Sequence, residues 1–202
     1  LSTCSSYLTQ SNLLIDVREA PELDLQAADL VIRASADLES EQSGTYLGPE
    51  RLSLVVNPQN PIISLTPDEA GALLAGSYAQ WNEVPSLAAT SLTFDQPVKQ
   101  ISLVDQELSA FLSVAFPTLN ISPLEDEKTY SVEMAQQRVA ETPGAFGLLP
   151  ASSLTPTLKQ VQILGPDGKA ITWQLQVVAL TPVEPKGDVL QLLLCLQNPS
   201  QP

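Results

Sequence analysis

Histidine is absent from this chain of 202 residues. Its absence removes the commonest metal ligand and the commonest general base of enzymes. The sequence also lacks a G-x-S-x-G elbow, a P-loop and a dinucleotide fingerprint, and it shows no nucleophile paired with a base. We therefore predict that the protein is not an enzyme and that it has no catalytic residue, no cofactor and no metal site.

Basic residues are scarce, because nine Lys and Arg stand against 23 Asp and Glu, for a net charge of −14. Such a chain repels phosphate backbones, so nucleic acid is not an expected partner. The acidity serves either solubility in an exposed compartment or a preference for cationic or neutral ligands. With 44% hydrophobic and 16% charged residues, the composition is typical of a globular protein.

Long hydrophobic runs are also lacking, since none approaches the roughly 18 residues that a membrane-spanning helix needs. The longest, Leu52–Val56 and Leu190–Leu196, have the length of core elements. No basic and then apolar leader opens the chain. We expect no membrane span in this sequence, while anchoring through a lipid or through a part outside it stays open.

Cysteine occurs only twice, at Cys4 and Cys195, near opposite ends of the chain. The two are too far apart for a C-x-x-C metal or redox motif. They either form a disulfide in an oxidising compartment or remain two buried free thiols. The sequence leaves both alternatives open.

The pattern of apolar residues predicts strands alternating with helices through most of the chain, and therefore an α/β fold. Predicted strands cover residues 13–17, 28–32, 52–56, 98–104 and 146–149, helices cover 66–76, 105–116 and 131–141, a hairpin joins 161–164 to 171–180, and 189–196 is a helix or a strand. The clearest helix start is Thr66-Pro67-Asp68-Glu69, where Thr66 caps the first turn and Glu69 completes a capping box.

Two motifs give the chain a family resemblance. Val55-Val56-Asn57-Pro58 is followed by Leu65-Thr66 and by Trp81-Asn82-Glu83, and Thr142-Pro143-Gly144-Ala145-Phe146-Gly147-Leu148 comes later. In this order they resemble the outward and return crossings of the phosphate-type periplasmic substrate-binding proteins, which are receptors of ABC importers. The resemblance covers roughly residues 27–153.

This resemblance implies a two-lobed type 2 periplasmic-binding-protein-like fold with mixed sheets flanked by helices. Lobe one would comprise residues 1–57 and 148–202, and lobe two the inserted residues 58–147, with an N-terminal βα unit truncated in one interpretation. Asn57, Gly144 and Gly147 would lie at the hinge. A small-molecule ligand would bind between the lobes, the location would be extracytoplasmic, and the partner would be an ABC permease or a cell-surface protein.

The resemblance fails at the anion site. The family's Ser-Asp pair after the second strand aligns with Arg33 and Ala34, with Ser35 one step beyond. Its Ser-Gly-Thr at a helix N-terminus, where free amides hold the anion, is replaced by Asp105-Gln106-Glu107. Two carboxylates there repel phosphate and satisfy the helix dipole themselves.

Ser35, Asp105, Gln106 and Glu107 are therefore candidate ligand-binding residues for something other than phosphate, with helix capping as the alternative role of the two acids. We expect an extracytoplasmic solute-binding protein with a divergent site. The alternative is a non-transport sensor or a protein-interaction module that keeps the fold.

Overall fold

The computed structural model describes Cys4 and residues 29–35, 44–90, 92–103, 106–116 and 128–197. The chain divides into two compact units, the first made of Leu1–Glu50 with Leu175–Pro202 and the second of Arg51–Gln174. The predicted lobes, 1–57 with 148–202 and 58–147, have other boundaries and stay a prediction.

In the first unit, strand β1 (Val31–Ser35) pairs antiparallel with β10 (Trp173–Leu180), from Val31 opposite Leu180 to Ser35 opposite Gln176. Val31, Val178 and Leu180 form its small apolar cluster. Helix α5 (Gly187–Gln197) follows β10 and ends near a disulfide between Cys4 and Cys195, whose Cα atoms are 6.0 Å apart.

The second unit is built around β2, which begins in the first unit and spans Gly44–Val56. Two strands pair antiparallel with the C-terminal part of β2. β7 (Ala145–Pro150) pairs with Leu52–Val56, and β8 (Lys159–Leu164) pairs with Leu54–Val56. β4 (Lys99–Gln100) runs parallel to β7, and β3 (Ser64–Leu65) runs parallel to β8. The sheet is therefore mixed, and the predicted α/β class with mixed sheets and flanking helices is confirmed.

The remaining elements of the second unit cover this sheet and extend it. They are α1 (Pro67–Leu74), a 3₁₀ turn (Trp81–Glu83), α2 (Pro85–Ala88), β5 (Ser102–Leu103), α3 (Gln106–Ala115), β6 (Lys128–Thr129), α4 (Val132–Glu141), a second 3₁₀ turn (Ala151–Ser153) and β9 (Ala170–Ile171). Val55, Ile101, Ala135, Val139, Ala145 and Leu149 form its central buried cluster. One part of the unit's apolar core is thus buried between β2, β7 and α4.

Local signals predicted the helices well. Thr66 caps α1 and forms the capping box with Glu69, Pro67 is its first residue, and Gly76 follows its end with φ +70°. Ser131 caps α4 at the predicted place. Residues 189–196, left open between helix and strand, belong to α5.

Two strand predictions need correction. The strand predicted at 28–32 is β1 at Val31–Ser35, so Arg33 and Ala34 lie inside a strand and not after it, because pairing with β10 sets its limits. The single strand predicted at 98–104 is two, since β4 pairs with β7 while β5 pairs with β6. The strand predicted at 13–17 lies outside the described residues.

Within the described ranges, no helix combines the length and the apolar character that crossing a bilayer requires.

Candidate functional site

The two crossing motifs meet at Asn57. Its backbone N–H donates to Ala145 O (3.1 Å), and its side-chain Nδ2 donates to Val139 O (3.1 Å) and Ala140 O (2.8 Å) at the end of α4. Its Oδ1 accepts from the backbone N–H of Gln59 (2.9 Å). Asn57 is 3% exposed, so this buried amide is fully engaged where the chain leaves β2.

The side chain of Trp81 connects the Trp81–Glu83 turn to the second motif, Thr142–Leu148. The ring is fully buried, its Nε1–H donates to Gly144 O (2.8 Å), and it packs edge-on against Phe146 with centroids 6.1 Å apart. Gly144 has φ +42°, and a Cβ there would collide with the carbonyl oxygen of Pro97. Glycine is therefore required at this position for both backbone angle and space.

Gly147, on β7, faces a closely approaching backbone as well, because a Cβ built there would lie 3.1 Å from Ile101 O. Asn57, Gly144 and Gly147 all lie at the junction of β2, α4 and β7. Hinge motion at these three residues stays a prediction.

A small pocket of about 30 Å³, partly open to solvent, lies in the second unit beside α3. Its lining comes from β4, β5 and the residue between them, from the first two turns of α3, and from one leucine each at the end of α1 and in the middle of β7. Its lining consists of Leu74, Gln100, Ile101, Ser102, Leu103, Leu108, Ser109, Leu112 and Leu148. None of these side chains carries a charge.

Ser102 is the notable polar group of this pocket. It is 5% exposed, and its Oγ has no hydrogen-bond partner among the residues that the structure describes. Leaving a buried hydroxyl unpaired costs about 1–3 kcal/mol relative to a paired one. Ser109, on α3, is exposed at the opening. The pocket therefore offers one unused hydroxyl in otherwise apolar surroundings.

The predicted ligand-binding residues lie in different parts of the fold. Ser35 is the last residue of β1 in the first unit, whereas Gln106 and Glu107 are the first residues of α3 in the second. Asp105 lies outside the described residues, as do the side chains of Ser35, Gln106 and Glu107. Their role in ligand binding stays a prediction.

Ser102 is not among the predicted residues, because the family resemblance points to the start of α3 and not to the strand before it. The available signal was a small polar residue between Ile101 and Leu103 in an otherwise apolar stretch. In the part of the chain that the structure describes, no three Cys, Asp or Glu side chains gather into a possible metal site.

Comparison with known proteins supports the fold, at low sequence identity. No family model matches the chain, and no curated protein matches it. Among solved structures, it is similar to a putative phosphate ABC transporter substrate-binding protein with bound phosphate from Clostridium perfringens, at TM-score 0.67 and 14% identity over 83% of this chain and 72% of that one.

An ABC-type phosphate transport receptor from Vibrio cholerae matches at TM-score 0.57 and 15% identity over 86% and 75% of the two chains. A Corynebacterium glutamicum OxyR mutant matches at TM-score 0.52 and 16% identity, over 86% of this chain and 49% of that one. The chain therefore has a fold like that of the phosphate-binding receptors, as the crossing motifs predicted.

Proposed function

We propose that this protein is an extracytoplasmic solute-binding receptor that serves an ABC permease and whose ligand is not phosphate. The observation that carries the proposal is the junction at Asn57. There the two motifs that resemble the outward and return crossings meet, and the Asn57 side chain makes all of its hydrogen bonds. The fold around this junction is like that of phosphate receptors of ABC transporters.

The disulfide supports the location. Disulfides persist in oxidising compartments and are rare in reducing ones. Cys4 is almost completely buried and bonded to Cys195. A bridge of this kind fits a periplasmic or cell-surface protein.

The charge distribution supports a ligand other than phosphate. The net charge of −14 lowers the local concentration of a dianion. Among the described residues that line the pocket beside α3, none is Lys or Arg. A neutral or cationic solute avoids both obstacles.

Thermal unfolding of the oxidised protein with a panel of solutes tests this function. We expect saturable stabilisation by at least one neutral or cationic solute, equivalent to about 2.7 kcal/mol at one hundred times its Kd. Phosphate at the same concentration should match a chloride control of equal ionic strength. Saturable stabilisation by phosphate would overturn the assignment of the ligand, and the absence of any stabilising solute would overturn the receptor itself.

A sensor without transport is the second candidate, and the similarity to OxyR supports it, because the same fold occurs there in a protein that is not named as a transport receptor. The two candidates differ in the cell. Deleting the gene of a transport receptor should abolish uptake of the stabilising solute, whereas deleting a sensor should leave uptake intact and change only the response to that solute.

A further inference from the structure

The pocket beside α3 contains a polar group that the fold itself does not use. Serine hydroxyls in protein interiors are almost always paired, and each exception needs an explanation. Ser102 is such an exception, because its Oγ is buried and has no partner among the described residues, while the adjacent Ile101 belongs to the buried apolar cluster and Leu103 packs against it. The hydroxyl lines an opening into which a partner can enter.

The size of the pocket limits what enters. A volume of about 30 Å³ is roughly twice the 10–15 Å³ that one water molecule needs, so there is room for a short aliphatic group with one oxygen atom. A complete solute the size of an amino acid does not fit inside. Because the pocket is partly open, the rest of a larger molecule can remain at the mouth, near exposed Ser109.

The lining limits the chemistry. Five leucines and Ile101 surround the hydroxyl, and no charged side chain is among the lining residues that the structure describes. Placing a charged group there would remove its water without supplying a counter-ion, which is strongly unfavourable. A neutral group with an apolar body and a single hydrogen-bonding atom can pack against the leucines and hydrogen-bond to the serine.

We propose that this pocket holds the small neutral end of a solute, an aliphatic group bearing one hydroxyl or carbonyl oxygen that hydrogen-bonds to Ser102 Oγ. The inference rests on the proposed function, since it names the part of the receptor's ligand that the pocket recognises. Binding of such a group also gives the Ser102 hydroxyl a partner, because the incoming oxygen forms the hydrogen bond that the protein leaves unmade.

The test uses 1-propanol as the probe and the oxidised full chain with ¹³C-labelled leucine and isoleucine methyl groups. Titration followed by NMR should give saturable shifts in the methyl groups of Leu108, Leu112 and Leu148, with smaller shifts elsewhere. Ser102→Ala should weaken the probe about 3- to 10-fold, the factor expected for one neutral hydrogen bond, and should leave the protein as stable as the original or slightly more so.

Two further variants serve as controls. Ser77→Ala changes an exposed serine just after α1 that does not line the pocket, and it should leave the affinity unchanged. Leu112→Phe fills the pocket and should abolish saturable binding. Equal affinity in Ser102→Ala, or shifts that never saturate, would overturn the proposal and leave a pocket that holds water only.

The outcomes separate this inference from the proposed function. If a full-sized solute stabilises the protein while the three leucine methyl groups stay unchanged, the receptor stands and the pocket proposal fails. If 1-propanol binds as described but no solute in the panel stabilises the protein, the pocket stands and the receptor proposal fails.

Discussion

At the scale of single residues, the carboxylate of Glu69 joins the starts of two helices. Its oxygens accept hydrogen bonds from the backbone N–H and Oγ of Ser86 (both 2.6 Å) at the start of α2. They also accept from the N–H (2.7 Å) and Oγ1 (2.9 Å) of Thr66 at the cap of α1. Burial alone would raise the pKa of Glu69, but these hydrogen bonds outweigh it and hold the pKa below its ordinary value near 4.5.

Replacing this carboxylate should destabilise the protein in a pH-dependent way. Glu69→Gln turns one accepting oxygen into an amide that faces donors, so we expect a loss of about 1–3 kcal/mol at pH 7. Because the folded-state pKa is depressed, the carboxylate's contribution is present above the unfolded-state pKa and is lost as pH falls through the folded-state pKa. Urea unfolding at pH 7 and pH 3 should therefore show the difference between the two proteins shrinking at the lower pH.

Asp68→Asn is the matched control, since Asp68 is exposed in the same turn. It should change the free energy of unfolding by only a few tenths of a kcal/mol, as expected for an exposed acid near a helix N-terminus. A loss in Glu69→Gln no larger than the loss in this control would refute the bridging role of Glu69.

Asn57 offers a second test at this scale, because its Nδ2 donates to two backbone carbonyls. Asn57→Asp replaces that donor with an acceptor facing Val139 O and Ala140 O in a buried place. We expect a loss of at least 2 kcal/mol in the free energy of unfolding, the typical penalty for a buried unpaired polar group.

Asn82→Asp provides the comparison, since exposed Asn82 makes a single side-chain bond to Asp95. Chemical denaturation of both variants at pH 7 should give a much smaller loss for Asn82→Asp, within about 1 kcal/mol, because exposed polar pairs contribute little. Similar losses in the two variants would contradict the account of the junction.

At the scale of elements, the sequence predicted what local chemistry determines. The helix α1 follows from Thr66, Pro67 and Glu69, all within its first turn. The division of residues 98–104 into β4 and β5 follows instead from partners far along the chain, β7 and β6. The Ser102 pocket was unpredictable for the same reason, since its lining comes from five elements that only the fold brings together.

The second motif, Thr142–Leu148, depends on Gly144, which the sequence predicted at the hinge without showing the close contact that requires glycine there. Gly144 and Gly76 both have positive φ, +42° and +70°, but only Gly144 has a backbone atom where a Cβ would go. Gly76→Ala should therefore cost about 1 kcal/mol, the penalty for a left-handed alanine. Gly144→Ala should cost at least 1–2 kcal/mol more, because the clash with Pro97 O forces the backbone to shift.

Thermal unfolding of these two glycine variants measures the difference directly. Near-ultraviolet circular dichroism should also change in Gly144→Ala and not in Gly76→Ala, because the buried Trp81 ring donates to Gly144 O. Equal stabilities for the two variants would show that the segment around Pro97 yields without penalty.

At the scale of the whole molecule, the bond between Cys4 and Cys195 closes a loop with a sequence separation of 191 residues, nearly the complete chain. The sequence left this bond open, because the distance between two cysteines so far apart depends on the entire fold. Whether the four candidate ligand-binding residues come together also depends on the entire fold. Ser35 belongs to one unit and Gln106 to the other, and their shared role remains a prediction from the family resemblance.

Breaking this bond should destabilise the protein while leaving its fold intact. A cross-link that closes a long loop restricts the unfolded chain, and disulfides of this kind contribute about 2–4 kcal/mol. We expect dithiothreitol to lower the midpoint of thermal unfolding, with little change in the far-ultraviolet circular dichroism of the folded state. The Cys4→Ser/Cys195→Ser double variant should unfold at the midpoint of the reduced protein and should not respond to the reductant. If the oxidised protein and the double variant unfold at the same temperature, the bond contributes nothing to stability and this prediction is wrong.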